Sequence, residues 1–549
     1  MSILVMKVVS SLTKVFLDEE PQEKPLHVEG FKNEVLSFQI AYTLKDPSLS
    51  RLYVKLDIVS PISKAVRVRQ VEHVPVRYAA PADSDEYFLR KTPGLYPDML
   101  REISTYSLRA RAGQWDTLWV EIDASLCDKS GEFPITFSLI AENGAFVEKT
   151  QWVRILGAEL PVQKLIHTKW LHTDCLADYY GHEMFSDEHW SVIEKFVRKA
   201  VKGGINMILM PVHTPPLDTR VGGERPTTQL VEISVDNGKY SFDTSKMKKW
   251  ISMCKRCGVE YYEMAHLYTQ WGALHAPKIM AVKDGEYQKI FGWETEATGE
   301  EYRAFLYEYV PVLRNVLKEE GIEDRTYWHI SDEPTGKQLK DYQAAKEQVA
   351  SLLDGCIIMD ALSNYEFYQQ GVVEHPVVAN DHIQKFIDEG VKELWTYYCC
   401  AQYKKVSNMF IAMPSYRNRI IAVQLFKFHI RGFLQWGYNF YNAQYSDHRI
   451  NPFATTDGDG FVPAGDPFQV YPGENGEPVE SIRMAVTRDA MQDLRAFEML
   501  ASLEGEEAVI GLIDDGLDEK ITFSAYPREE EYLLKLREKV NSAIMRHIE

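Results

Sequence analysis

The chain has 549 residues, too many for one ordinary domain, and about 150 residues per domain would give roughly three to four units. Its 45% hydrophobic and 26% charged residues are typical of a globular protein with a sizeable core. The net charge of −19 argues against nucleic acid and anionic membrane surfaces as partners, because both repel an acidic protein. The sequence has no apolar run of about 18 residues that could span a membrane.

The start of the chain, MSILVMKVVSSLTKVF, has the pattern of a strand rather than of a signal peptide. No basic region precedes an apolar one, and Lys7 and Lys14 interrupt the apolar stretch. The 7 cysteines are an odd number for a disulfide framework. We therefore expect a protein of the reducing cytoplasm. Cys254 and Cys257 form a CxxC without a second pair to complete a zinc site, and we interpret them as core thiols.

Short alternating segments fill the chain to about residue 160. Their period of two, broken by turn residues, predicts antiparallel strands and a β-sandwich, and Asn143-Gly144 predicts the turn of the last hairpin. We interpret residues 87–102, YFLRKTPGLYPDMLRE, as a long proline-bearing loop between strands. The alternating segments are VLSFQIAYTL, RLYVKLDIV, VRVRQVEHVPVRY, TLWVEID and ITFSLIAENGAFVEKTQWVRIL.

After residue 160, strand-like and helix-like segments alternate. The candidate strands are HTKWLHTDC, NMILMPV, VEYYEMAHLY, RTYWHISDE, CIIMDAL, HPVVAND, ELWTYYCC and GFLQWGYNFY. Apolar residues recur with helical spacing in the segments 187–202, 247–254, 300–318 and 336–353. Eight strands alternating with helices predict a (β/α)₈ barrel, in which the chemistry lies on the loops after the C-terminal ends of the strands.

Two helices are predicted at the end of the chain. The first, over residues 480–502, would close the barrel, and the second, in PREEEYLLKLREKVNSAIMRHI, would pack outside it. The predicted fold class is therefore α/β, a TIM-type barrel preceded by an antiparallel β-sandwich. The predicted domains are an N-terminal β-sandwich (1–160), a (β/α)₈ catalytic barrel (161–505) and a C-terminal helical extension (506–549).

The stretch YWHISDEP ends the fourth predicted barrel strand and places two adjacent acids, Asp332 and Glu333, at the barrel mouth. The backbone turns at the end of a strand, so neighbouring side chains can reach the same place there. One acid could protonate a leaving group while the other stays ionised, since apolar neighbours and an adjacent carboxylate raise a carboxyl pKa. The alternative, a helix N-cap before Pro334, explains one acid and not two.

Glycoside hydrolysis is the reaction class that most often uses two carboxylates in these roles. Acids that are adjacent in sequence are badly placed to flank a sugar from opposite faces as a general acid and a nucleophile. They are better placed for a substrate-assisted mechanism. In that mechanism the 2-acetamido oxygen of the sugar attacks the anomeric carbon, and a carboxylate orients the acetamido group.

Several longer stretches carry a family resemblance, namely PGLYPDML, YTQWGALHAPKI, HISDEP, LWTYYCC, GFLQWGYNFY and VYPGENGEPVESIR. With them the chain resembles the catalytic domain of glycoside hydrolase family 123 and its relatives in domain of unknown function 4091. The resemblance implies an exo-acting β-N-acetylgalactosaminidase. It also implies that Asp332 orients the acetamido group and that Glu333 is the general acid/base.

Aromatic and polar residues near the other predicted strand ends are candidates to hold a sugar, although core packing is the alternative for each of them. As a group they favour a carbohydrate pocket, because they recur at the strand ends that meet at the barrel mouth. The candidates are Trp271, Tyr397, Tyr398, Trp436, Asn439, His213, His266 and Asp381.

Neither a metal nor another cofactor is expected. Asp457 and Asp459 have the spacing of a calcium loop, but Phe461 and Phe468 stand where that loop needs ligands. The sequence has no HExxH and no phosphate-binding glycine loop.

The sequence thus predicts a glycoside hydrolase that releases a terminal 2-acetamido sugar with retention, and its expected partner is an oligosaccharide or glycoside. Two alternatives stay open. One is a retaining exo-glycosidase that acts on a 2-hydroxy sugar with a distant carboxylate as nucleophile. The other is a carbohydrate-binding protein without turnover. GalNAc and GlcNAc are not distinguished, and the oligomeric state is left open.

Overall fold

The computed structural model describes residues 3–103, 107–334 and 336–548. Up to residue 156 the described chain is built of strands: β1 (Leu4–Ser10), β2 (Val28–Phe31), β3 (Val35–Leu44), β4 (Arg51–Val59), β5 (Val66–Val76), β6 (Gly94–Glu102), β7 (Ser107–Arg111), β8 (Asp116–Asp123), β9 (Gly131–Ala141) and β10 (Phe146–Leu156). They form two five-stranded sheets, in the orders β1-β3-β8-β5-β6 and β2-β10-β9-β4-β7. All neighbours are antiparallel except β2 and β10.

The predicted alternation places one side of each sheet in a shared core. In β4, Leu52, Val54 and Leu56 are buried and the residues between them are exposed. They join a cluster of buried side chains from both sheets, which includes Phe38 and Phe137. The antiparallel strands predicted in this part of the chain are confirmed by these pairings.

The interpretation of residues 87–102 as a loop is wrong over 94–102, which form β6. This strand pairs with β5 and lies at the edge of its sheet. Pro97 stands opposite His73, beside a register shift between Glu72 and His73. An edge strand with a bulge tolerates proline, because no partner there needs its missing N–H donor. The proline was therefore a poor reason to exclude a strand.

The next strands are β11 (Ile166–Lys169), β12 (Met207–Met210), β13 (Glu232–Asp236), β14 (Lys239–Asp243), β15 (Tyr261–Met264), β16 (Ile279–Lys283), β17 (Glu286–Phe291), β18 (Thr326–Trp328), β19 (Ile357–Ala361), β20 (His375–Ala379), β21 (Trp395–Tyr397), β22 (Gly432–Gln435), β23 (Val470–Pro472) and β24 (Pro478–Glu480). A closed parallel barrel has the order β11-β12-β15-β18-β19-β20-β21-β22. Seven of its strands lie within predicted segments, β11 begins at Ile166, one residue before its segment, and the order is the predicted one.

Sequence analysis missed a small sheet of order β14-β13-β16-β17 and the hairpin of β23 and β24. After β12 the chain leaves the barrel and forms β13 and β14, and after β15 it forms β16 and β17, which complete the small sheet. Asn237-Gly238, between two alternating segments, is the same hairpin signal as Asn143-Gly144, so β13 and β14 could have been found.

The helices are α1 (Thr173–Tyr180), α2 (Asp187–Lys202), α3 (Ser245–Cys257), α4 (Glu300–Glu319), α5 (Leu339–Val349), α6 (Tyr365–Gln369), α7 (Gln384–Asp388), α8 (Ser415–Arg419), α9 (Ile421–Lys427), α10 (Ile482–Glu504), α11 (Glu506–Asp514) and α12 (Glu530–Met545). The four segments with helical spacing are α2 to α5, and the two predicted terminal helices are α10 and α12. In the described ranges, no helix combines the length and the apolar character that a membrane crossing requires.

Buried ion pairs connect the first two sheets to the helices that follow the barrel. The guanidinium of Arg483, on α10, donates to both carboxylate oxygens of Asp98, on β6, at 2.8 and 2.9 Å. Arg537, on α12, donates to Glu34 at 2.6 and 2.7 Å and to Asp493 at 2.9 Å. Because these charges are shielded from water, replacing one partner of a pair by a neutral side chain would leave an unpaired buried ion, which is strongly unfavourable.

Candidate active site

A cavity of about 150 Å³ opens where the C-terminal ends of the barrel strands meet. Seven strands supply its walls, through their last residues or through the loops that follow, and β19 does so through its last residue, Ala361. Trp170 and His172 follow β11, Leu217 and Asp218 follow β12, Gln270 and Trp271 follow β15, Asp332 and Glu333 follow β18, Tyr397, Cys399 and Cys400 come from β21 and its loop, and Leu434 and Trp436 come from β22 and its loop. The cavity therefore lies where chemistry is expected in a parallel barrel.

Asp332 and Glu333 both line this cavity. Glu333 has φ 45°, in the left-handed region, so the backbone turns sharply there and both carboxyl groups reach the same space. The carbonyl of Asp332 accepts a hydrogen bond from the N–H of Trp271 at 2.9 Å, which ties the β18 loop to the β15 loop. A non-glycine residue in this region is strained, and such strain concentrates at functional sites.

The pKa of Asp332 is strongly shifted in this site. Burial, and then the adjacent charge of Glu333, raise the pKa of Asp332 well above its ordinary value, while the nearby His329 cation opposes the rise. Asp332 therefore retains its proton in the free site under conditions where an isolated aspartate is ionised.

Tyr397 orients Glu333. Its hydroxyl donates a hydrogen bond of 2.7 Å to Oε1 of Glu333. Burial, and then the charge of Glu333, raise the pKa of Tyr397 well above its ordinary value, so the phenol remains a donor. Tyr397 is the last residue of β21, and a barrel strand holds its backbone in place.

A buried charged cluster, formed by Glu263, His329 and Asp360, lies beneath the acid pair. Nε2 of His329 is 2.7 Å from Oε1 of Glu263, and its Nδ1 is 3.1 Å from Oδ1 of Asp360. Burial by itself lowers the pKa of His329, but the bonds to Asp360 and Glu263 overcome it and raise that pKa to about 10. The ring is therefore an imidazolium at neutral pH, and both of its nitrogens donate.

His266 stacks on His329, with ring centroids 4.1 Å apart and an interplanar angle of 18°. Ligand atoms of His266, His329 and Asp360 lie within 4.8 Å of one another, which raises the possibility of a metal site. The lone pairs of an imidazole lie in the plane of its ring, so two stacked rings cannot direct them at one ion. Both nitrogens of His329 also have carboxylate partners. We therefore assign no metal to this cluster.

Three tryptophans surround the acid pair in the cavity. Nε1 of Trp170 donates to Glu263 at 2.6 Å, and Nε1 of Trp436 donates to Asp466 at 2.9 Å. Trp271 is 38% exposed and meets Tyr445 edge to face, with ring centroids 6.0 Å apart. Indole rings offer flat apolar faces, and a sugar ring has such a face to place against them.

Of the eight predicted sugar-binding residues, Trp271, Tyr397 and Trp436 line the cavity with the acid pair. His266 lies deeper, in the stack described above. The other four contact protein groups instead. Tyr398 is fully buried against Phe433, and His213 is bonded to the carbonyl of His266 at 2.8 Å. Asp381 is bonded to His382 and Gln402, and Asn439 holds the backbone of His172 through two hydrogen bonds of 2.9 and 3.0 Å.

Sequence analysis missed Asp218, a third carboxyl group in the cavity wall. Its N–H donates to Gln270 at 2.7 Å, its Oδ2 is buried without a partner, and burial raises its pKa to about 6. It lies eight residues past the end of the second barrel strand, too far for the strand-end rule that selected the other candidates. Among the described lining residues there are three carboxyl groups and no lysine or arginine. This wall suits a neutral ligand or a developing positive charge.

A closed parallel barrel with paired carboxyl groups and aromatic faces at its mouth is the arrangement of a glycoside hydrolase. Residues 170–500 match the family model of the glycoside hydrolase 123 catalytic domain. The match covers more than half of the chain, and the chain belongs to this family.

A solved structure of a family 123 glycoside hydrolase from Clostridium perfringens, analysed for glycolipid glycan hydrolysis, is similar along the whole chain. It shares 15% sequence identity, covers 99% of this chain and 98% of its own, and has a TM-score of 0.73. At this identity the likeness shows a common fold. A Bacteroides ovatus GH5 xyloglucanase shares 6% identity over 85% of this chain and 98% of its own, with a TM-score of 0.30. No match was found among curated protein sequences.

Proposed function

We propose that this glycoside hydrolase releases a terminal 2-acetamido sugar, as a β-N-acetylgalactosaminidase does, by a retaining substrate-assisted mechanism. One observation carries the proposal: two carboxyl groups that are adjacent in sequence line one cavity, and Tyr397 is bonded to the second of them. Family membership supports the glycosidase class, and the Clostridium perfringens relative acts on glycolipid glycans.

In this mechanism Glu333, held by Tyr397, donates a proton to the glycosidic oxygen. The acetamido oxygen of the substrate attacks the anomeric carbon, and Asp332 accepts a hydrogen bond from the acetamido N–H. That hydrogen bond favours the charged form of Asp332. Asp332 then passes the proton that it holds in the free site to Glu333, where the reaction needs it. Water, deprotonated by Glu333, finally opens the cyclic intermediate, and the configuration of the anomeric carbon is retained.

The three carboxyl groups of the cavity also support this chemistry. Positive charge develops on the anomeric carbon and then on the cyclised acetamido group. Fixed carboxylates in a site with little water stabilise such charge without having to reorganise.

The test compares aryl β-GalNAc with aryl β-galactoside, which differ in the acetamido group that acts as nucleophile. Cleavage of only the first is expected. Glu333→Gln and Asp332→Asn should each lose most of the turnover while the fold is intact, and Glu389→Gln, an exposed acid on the surface, serves as the control. Full activity in either site variant would contradict the proposal.

The presence of Asp218 in the cavity favours a second candidate, a retaining exo-glycosidase that acts on a 2-hydroxy sugar with a distant nucleophile. This candidate would be supported if the wild type cleaves the aryl β-galactoside and Asp218→Asn does not. Sugar binding without release of product would instead support a carbohydrate-binding protein.

We further propose that the chain is divided into a β-sandwich (1–160), a TIM-type (β/α)₈ catalytic barrel (161–505) and a helical extension (506–549). The shared core of the first two sheets and the eight parallel strands of the closed barrel support this division. Limited proteolysis that cuts near residues 160 and 505 and leaves the three parts intact would support these boundaries.

A further inference from the structure

The proposed chemistry gives no role to two thiols of the cavity wall, Cys399 and Cys400. They come directly after Tyr398, where the chain has left β21, so their side chains need not point in opposite directions as in a strand. Both line the same cavity, and the thiol of Cys400 acts on that of Cys399 strongly enough to raise its pKa. Both side chains are half-buried, so a molecule in the cavity can reach them.

Two neighbouring thiols that open to one cavity can bind one soft atom together. Thiol sulfur is a soft ligand and selects soft, thiophilic ions. A trivalent organoarsenical with an As=O group condenses with two thiols: two As–S bonds form, and the oxygen leaves as water with both thiol protons. No oxidant or reductant is needed. We propose that Cys399 and Cys400 form a chelating dithiol site for soft thiophilic ions, trivalent arsenicals in particular, in the wall of the active-site cavity.

The surroundings of the pair keep the thiol of Cys399 protonated and hold its backbone in place. The contact with Cys400, then burial, and then the charge of Glu333 raise the pKa of Cys399 well above its ordinary value. The thiol of Cys399 donates to Oε1 of Gln402 at 3.3 Å, and the same oxygen accepts from the N–H of Cys399 at 2.9 Å. Reagents that attack through a thiolate are therefore expected to react slowly at Cys399. The overall condensation with an arsenical needs no base to take up protons, because both thiol protons leave in the water.

An arsenic atom bound to this pair would share the cavity with the acid pair. Tyr397, two residues before Cys399, holds Glu333. The N–H of Cys400 bonds to Asp466, which also holds the indole of Trp436 at 2.9 Å. An arsenical bound here would lie between these two contacts, in a cavity of only about 150 Å³, and would exclude a sugar.

The chain contains an internal comparison, Cys254 and Cys257 on α3. These thiols are one helical turn apart, a spacing that also permits chelation. Cys254 is 0% exposed within the core, so the folded chain should protect this second pair. Neither Cys127, Cys175 nor Cys356 is adjacent to another cysteine in the sequence.

The test is the intact mass of the native chain after treatment with phenylarsine oxide in excess glutathione, which displaces arsenic from single thiols. One phenylarsenic group per chain is expected. It should be absent from Cys399→Ser and from Cys400→Ser and unchanged in Cys257→Ser, with the fold of each variant checked by circular dichroism. In denaturant the second pair should also react. An unmodified native chain, or an adduct that survives in Cys399→Ser, would overturn the proposal.

A second measurement places the site in the active-site cavity and rests on the proposed function. Phenylarsine oxide should abolish cleavage of aryl β-GalNAc, and 2,3-dimercaptopropanol should restore it by removing the arsenic. An adduct on an enzyme that still cleaves the sugar at its full rate would overturn the placement. If the chain forms the adduct and cleaves no acetamido sugar, the proposed function fails and the dithiol site stands.

Discussion

The charged cluster beneath the acid pair predicts a specific cost for removing one of its charges. In Asp360→Asn the shape of the side chain is kept, but the imidazolium of His329 loses one of its two carboxylate partners. Glu263, His329 and Asp360 are at most 1% exposed, so water cannot replace the lost partner. Removing one partner of a buried ion pair costs about 3 to 5 kcal/mol of unfolding free energy.

The pKa of His329 gives an independent bound on this cost. A rise from 6.5 to about 10 corresponds to about 5 kcal/mol of preference for the imidazolium in the folded state, and Glu263 and Asp360 supply it together. Below pH 6.5 the ring is protonated in both the folded and the unfolded states, and this stabilisation is complete. As the pH rises from 6.5 towards 10, only the unfolded state loses the proton, so stability falls by about 1.4 kcal/mol per pH unit from this group.

Urea unfolding of wild type and Asp360→Asn between pH 6 and 10 measures both effects. The variant should lose about 3 to 5 kcal/mol of unfolding free energy at pH 6. Its stability should stop declining at a lower pH than that of the wild type, because the folded-state pKa of His329 is lower in the variant. Glu389→Gln removes one partner of an exposed ion pair with Lys385 and should cost no more than about 1 kcal/mol. Equal costs in the two variants, with the same pH dependence, would refute the buried imidazolium.

Three further outcomes are expected. Tyr397→Phe removes the hydrogen bond to Glu333, worth about 1.5 to 3 kcal/mol for a charged acceptor, and should lower kcat on the aryl glycoside roughly 10- to 100-fold with little change in KM. Gly432→Ala places a Cβ 2.1 Å from the ring of Trp395 and should lower the free energy of unfolding in urea by about 1 to 3 kcal/mol. Gly511→Ala, in open space on α11, should raise this free energy by about 0.5 to 1 kcal/mol. Asp218→Asn should raise the melting temperature at pH 8 but not at pH 3, because the raised pKa of Asp218 makes its ionisation destabilising as the pH rises through about 6.

The strands of the barrel were predictable because most of them are short, largely apolar runs between helical segments, and burial on both faces leaves such runs nearly continuous. All four residues of β12, Met207–Met210, are buried. The edge strand β6 was not predictable in the same way. Its proline and its mixed burial describe a loop equally well until the partner strand β5 is known.

Strand ends indicate where the cavity lies, but they do not determine where a side chain points. Tyr397 and Tyr398 are consecutive at the end of β21, yet Tyr397 reaches Glu333 and Tyr398 packs against Phe433. A period of two predicts that one of them faces the barrel interior, and the sequence does not say which one. Asp218 was missed for a related reason, since its loop extends eight residues past β12 before it returns to the cavity.

The buried cluster and the acid pair are coupled, so their energies should be considered together. Glu263 and Asp360 raise the pKa of Asp332, while the imidazolium of His329 lowers it more strongly than either carboxylate raises it. Without that cation, burial and Glu333 would keep Asp332 neutral even when a substrate amide is bound, and it could not compensate the charge of the cyclised acetamido group. A neutral ring at position 329 would therefore affect both stability and the proposed chemistry. For this reason we expect His329→Gln to lower kcat on aryl β-GalNAc even at temperatures where the variant is fully folded, and normal turnover in a folded variant would show that the cluster is structural only.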